Sequence, residues 1–90
     1  MRSYKLVVVL KGDLTKEKKK KMLETIETWA GATDTKVTEL GEKKLAYTIK
    51  REKKGDYVEM NFNSEKIDTG FEKRIINQDD ILRHLMIRVS

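Results

Sequence analysis

The chain has 90 residues, with 20 Lys and Arg against 15 Asp and Glu, a formal charge of +5, one His, no Cys and no Pro. That length predicts one domain, residues 1–90, around a single modest core, and with 38% apolar and 39% charged residues the core is small and the surface ionic. The composition excludes a disulfide framework, thiol catalysis and a zinc knuckle, His84 alone cannot build a multi-histidine metal centre, and the apolar run Leu6–Leu10 is too short for a membrane span or a signal peptide. The expectation is a cytoplasmic protein with no metal and no cofactor, whose positive charge favours a polyanionic partner.

Arg2 to Leu10 reads as a strand rich in Val and Tyr. Tyr4, Leu6, Val8 and Leu10 alternate onto one face, and Ser3, Lys5, Val7 and Val9 onto the other. Gly12-Asp13 marks a turn. Thr15, with Leu14 as a staple, caps a helix from Lys16 to Ala30. Its apolar stripe is Met22, Ile26 and Trp29 or Ala30, with Leu23 beside it, and Gly31 sits where a left-handed C-cap belongs. Thr35 to Glu52 reads as a long strand with a bulge or close backbone approach at Gly41. Lys53-Lys54-Gly55-Asp56 reads as the hairpin connection to a returning strand from Tyr57 to Asn63. Ser64 is the expected cap of a second helix with the stripe Ile67, Phe71, Arg74 and Ile75, weakened at Gly70 and stopped at Asn77. Ile81 to Val89 is the last strand. Its pattern leaves two faces in balance: Ile81, Arg83, Leu85, Ile87 and Val89 against Leu82, His84 and Met86.

The order βαββαβ predicts an α+β, ferredoxin-like sandwich, a four-stranded antiparallel sheet with both helices on one face. The opposite face, with Val7 and Val9 on it, then lacks cover from its own chain and is the expected partner surface. This architecture serves many functions, so the sites must decide. A base-stacking platform needs aromatics on the central strands, and Asp56 stands where one is required. An acylphosphatase-type loop needs an Arg, which Lys11-Gly12-Asp13-Leu14 lacks. A metal chaperone needs paired Cys. His84 reads as a strand residue with a satisfied ring, Trp29 as core, and Lys18–Lys21 as a solvated helix face, because consecutive residues point around most of a helix. Lys43, Lys44, Lys50, Arg51, Lys53 and Lys54 form a basic cluster on the arms of the hairpin, diluted by Glu42 and Glu52 and suited to phosphate contact.

One stretch is specific. Gly41-Glu42-Lys43-Lys44-Leu45-Ala46-Tyr47-Thr48-Ile49-Lys50 closely resembles the signature of the bacterial small-subunit ribosomal protein six family: Gly, any, basic, any, Leu-Ala-Tyr, any, Ile. The opening Met1-Arg2-Ser3-Tyr4, the pairs Tyr57-Val58 and Met60-Asn61, and the run from Asn77 to Arg88 agree with it. Thr48 departs from the pattern where Pro is common, and the C-terminal tail of many relatives does not follow Ser90. The resemblance implies a structural constituent of the small ribosomal subunit, not an enzyme. It also implies binding to the central domain of small-subunit rRNA as a heterodimer with small-subunit ribosomal protein eighteen. The positions it favours for RNA are Arg2, Tyr4, Lys43, Arg83 and Arg88, to which charge and location add Lys44 and Arg51. For the protein partner the expected residues are Val7, Val9, Tyr47 and Ile49, with Tyr47 fitting the core equally well. The alternative is a non-ribosomal scaffold or regulatory module of the same fold that binds only proteins.

Overall fold

The computed structural model describes residues 2–49, 51–67 and 69–89, without the side chains at 46, 47 and 49. The unbroken apolar run of the first strand, β1 (Arg2–Lys11), is explained by its position. It pairs antiparallel with β3 (Glu52–Ser64) on one side and with β4 (Ile81–Arg88) on the other, and β2 (Thr33–Ile49) pairs with the outer side of β3. The sheet order is β2-β3-β1-β4. A helix, α1 (Lys16–Ala30), joins β1 to β2, and a short one, α2 (Phe71–Ile76), joins β3 to β4. This is the expected ferredoxin-like α+β sandwich.

The main core lies between the helices and one face of the sheet. Tyr4, Leu6, Val8 and Leu10 meet Leu23, Ile26 and Ala30 of α1, Phe71 and Ile75 of α2, and Val58, Met60 and Phe62 of β3. Fully buried side chains such as Leu6, Ile26 and Met60 each contribute roughly 1.5–3 kcal/mol. Met22, Trp29, Ile67 and Met86 close the rim of this core. Both ends of α1 are as the sequence predicts. Thr15 Oγ1 accepts from the Lys18 amide at 3.2 Å, and Gly31 adopts the left-handed conformation (φ 60°), its amide returning to the last turn.

Three expectations are corrected. Lys53-Lys54-Gly55-Asp56 is not a turn. The hairpin reverses between Ile49 and Glu52, with Arg51 in the left-handed region (φ 68°), and Gly55 lies in mid-sheet between Lys11 and Lys43. A Cβ on Gly55 would run into Val9 Cγ1 and lie against Leu45, so this glycine serves close packing above the sheet. The second correction concerns Ser64. It ends β3, and its buried hydroxyl donates to the Ala30 carbonyl at 2.7 Å, so it ties β3 to the end of α1. Helix α2 begins at Phe71 after Gly70, and Arg74 is exposed, its guanidinium 5.9 Å from the centre of the Trp29 ring.

Third, the balance between the two faces of β4 is resolved by a bulge. Leu10 pairs with Ile81 but Val9 with Arg83, so Leu82 is the extra residue. Ile81 joins the main core, and Leu82 joins Val9 and Leu45 in a small second cluster, with Tyr57 against it. The bulge at Gly41 (φ 93°) also occurs as expected, in the register shift between Glu39 and Gly41.

Gly55→Ala is expected to cost about 1–3 kcal/mol, the usual penalty for overpacking, read as a lower midpoint in urea unfolding. An unchanged midpoint would mean that Val9 and Leu45 yield without cost.

Candidate functional site

The sheet face turned away from the helices carries a pattern set by register. Lys5 sits between Asn61 and Ile87, Val7 between Glu59 and Leu85, and Val9 between Tyr57 and Arg83. Opposed residues of an antiparallel pair share a face. The β4 side of this surface is therefore apolar, with Leu85 (59%), Ile87 (47%) and Val89 (62%) exposed. The β3 side is polar, with Asn61, Asn63 and a 2.8 Å ion pair between Lys5 and Glu59. Ser3 Oγ donates to Asn63 Oδ1 at 2.8 Å. A shallow depression of about 270 Å³ lies over Val7, Val9, Tyr57, Arg83 and Leu85. At its hairpin side the Lys43 ammonium stands 5.3 Å from the centre of the Tyr57 ring.

The expected contact residues do not form one patch. Arg83 and Lys43 share the open face. Arg2 and Arg88 lie exposed at the opposite end of the sheet, alternating toward the helix side beyond the core. Lys44 is exposed near the far end of β2, and Arg51 at the hairpin tip. Arg2 and the level of Lys43, which faces Lys11 across Gly55, are separated by about 30 Å, the rise of β1, and the hairpin tip lies further still. Tyr4 is a core residue, 8% exposed, its ring stacked on Phe62 at 5.8 Å, so its ring offers no free face to a base. Val7 is half-buried on the open face. Val9 is only 5% exposed beneath Leu45 and Leu82, so the chain covers part of the face itself. Tyr47 and Ile49 lie on β2, and their side chains fall outside the described residues.

The sequence reading grouped Leu85, Ile87 and Val89 on one face of the last strand but left open which face is buried, because the bulge sends Ile81 of the same alternation into the core. Lys19 escaped the sequence reading. Lys18, Lys20 and Lys21 are exposed, but Lys19 lies on the stripe of Leu23, Ile26 and Ala30 and turns inward. It binds Asp56 of β3 and, at 2.8 Å, Glu39 of β2. Its spacing of four residues from Leu23 was the available signal. His84, on the helix side, has Nε2 3.2 Å from Glu72 Oε1.

Desolvation lowers the Lys19 pKa, but hydrogen bonds to Asp56 and Glu39 and the charges of both outweigh it and hold the ammonium above the ordinary lysine range. The hydrogen bond from Lys19, aided by its charge, holds Glu39 below the ordinary carboxylate range. A depressed carboxylate stabilises above its unfolded pKa and loses that contribution as pH falls through the folded one. A raised lysine stabilises below its unfolded pKa and loses the contribution as pH rises through the folded one. Thermal melts of the natural chain and Lys19→Met from about pH 3 to about pH 11 are therefore expected to differ most on the neutral plateau. The difference should shrink at both ends, and a gap independent of pH would show that Lys19 acts only through its stem.

The family model described as Ribosomal protein S6 matches residues 3–88. The chain belongs to the ribosomal protein S6 family. The small ribosomal subunit protein bS6 of Thermoanaerobacter pseudethanolicus is 38% identical over 94 residues, covering 100% of this chain and 99% of that protein. The same protein of Caldanaerobacter subterraneus subsp. tengcongensis is also 38% identical over 94 residues, with 100% and 99% covered. Among solved structures, the 30S ribosomal protein S6 of Thermotoga maritima superposes with a TM-score of 0.80 at 22% identity, over 98% of this chain and 87% of that one. That likeness bears on the fold alone. Family membership places the chain among structural proteins of the small ribosomal subunit, a family that is not one of enzymes. Among the described residues no helix is long and apolar enough to cross a membrane, and no cluster of His, Cys, Asp and Glu could hold a metal ion.

Proposed function

We propose that this chain, acting as one domain over residues 1–90, binds the central domain of small-subunit rRNA together with small-subunit ribosomal protein eighteen. The observation that carries the reading is the open sheet face, an apolar stripe on β4 flanked by cations at both ends of the sheet. The stripe suits a protein, because its removal from water is favourable and no part of this chain covers it among the described residues. The cations suit phosphates: Arg2, Arg51, Arg83 and Arg88 present guanidiniums fit for bidentate contact, and Lys43 and Lys44 act as point charges. Tyr4 contributes by fixing β1 against Phe62. Val7 joins Leu85 and Ile87 in the partner surface, and Val9 adjoins it along β1, beneath Leu45 and Leu82. Tyr47 and Ile49 remain assigned to the partner on the family signature.

The test titrates an rRNA central-domain fragment with and without the partner protein at two salt concentrations. Contact with about four phosphates lowers affinity about a hundredfold between about 50 and about 200 mM salt. Affinity indifferent to salt, or partner binding with no RNA affinity, would overturn the RNA reading in favour of a protein-only scaffold.

Leu85→Glu separates the two surfaces. It is expected to weaken partner binding about tenfold or more and to leave the melting temperature nearly unchanged, because the side chain is exposed. Calorimetric titration and a thermal melt check this, and unaltered partner affinity would remove β4 from the interface.

A further inference from the structure

A second groove lies on the other side of the molecule, between α1 and the edge strand β2. It has a volume of about 510 Å³ and a floor of Leu23, Val37 and the inward Lys19, whose charge is met by Glu39 and Asp56. Val37 is 41% exposed there. The rim divides by charge. Lys16 and Lys20 stand at the N-terminal half of α1, and Glu24 and Glu27 at its C-terminal half. Strands β1 and β2 are both antiparallel to β3 and α1 returns between them, so α1 runs opposite to β2, and the ion pair of Lys19 with Glu39 sets the register: Lys16 and Lys20 flank the Glu39 end and Glu27 the Val37 side. Strand β2 is the outermost in the sheet order, and its regular stretch Lys36–Glu39 lies beside the groove.

We infer that this groove accepts an extended segment of a partner protein. The segment would add antiparallel to the outer edge of β2, with an acidic, an apolar and a basic side chain at alternate positions, in that order. The charge order follows from direction. A strand antiparallel to β2 runs with α1, so its first residue lies opposite Glu39, whose charge Lys19 already meets, and faces Lys16 and Lys20, while its last meets Glu24 and Glu27. The spacing follows from geometry. Residues i, i+2 and i+4 of a strand share a face over about 13 Å, comparable to the about 16 Å from Lys16 to Glu27 along the helix. The central apolar residue falls over Val37 and Leu23. Backbone pairing and the apolar contact give affinity, and the divided rim gives direction. Exposed ion pairs are individually weak, so binding by a five-residue segment is modest. The surface is separate from the open face and from the cations proposed to bind RNA.

The experiment titrates the full chain, ¹⁵N-labelled, with two capped peptides of one composition, Glu-Thr-Val-Thr-Lys and Lys-Thr-Val-Thr-Glu. Saturable amide shifts confined to Lys36–Glu39 and α1 are expected, at least about fivefold tighter for the acid-first peptide. The exposed double change Lys20→Glu with Glu24→Lys is expected to remove or invert that preference without altering the fold, as its own amide spectrum would report. Absence of saturable shifts at millimolar peptide, equal affinity for the two peptides, or shifts confined to the open face would each overturn the inference.

Discussion

Burial of β1 on both faces is the constraint on which the rest depends. A strand with polar residues on its outer face can stand at an edge, but Val7-Val8-Val9-Leu10 cannot. It needs a neighbour on each side, helices below and some cover above. Strands β3 and β4 supply the neighbours, α1 and α2 the layer below, and Leu45 with Leu82 the partial roof over Val9. Gly55 and the bulge at Leu82 are the local devices that let this roof approach. Where it ends, past Val7, the apolar surface of β4 begins. The functional face is thus the part of β1's surroundings that the chain leaves uncovered.

Much of this was legible from residue order. Alternation along β1 named its buried face, Thr15 and Gly31 bounded α1 to the residue, and Gly41 announced a bulge. The misreadings share one physical cause: local signals were outweighed by contacts between distant residues. Lys54-Gly55-Asp56 has the composition of a turn, but Gly55 is chosen for what packs above it, Val9 and Leu45. Ser64 has the chemistry of a cap and spends its hydroxyl on the Ala30 carbonyl instead. In β4, one extra residue shifts the alternation, and nothing local betrays it.

The candidate site was less legible than the fold. The resemblance at residues 41–50 pointed to the family, which the comparisons then established, but individual positions depend on which face each strand residue takes. Val9 was assigned outward and is buried by Leu45 and Leu82, and Tyr4, given to RNA on the family's opening although it alternates with Leu6, Val8 and Leu10, is buried against Phe62. Lys19 was counted among solvated lysines, although its helical position places it over β2 and β3. Charge seen in sequence is therefore a poor measure of charge available for binding. The Lys19 ammonium is already met by Glu39 and Asp56, whereas Arg83 and Lys43 stand on the open face.

The strand order also bears on how the chain is made. Strand β1 is synthesised before both of its partners, β3 and β4. Until β3 has emerged, one of its hydrogen-bonding edges is bare, and until β4 has emerged the other is. Throughout that interval Val7-Val8-Val9-Leu10 is a short, uncharged, strand-forming segment of the kind that pairs with whatever extended chain it meets. Lys5 and Lys11 bracket it with like charge on both sides. Two nascent copies brought together through this segment would meet that repulsion before they met the apolar run, and the vulnerable interval closes when β4 docks.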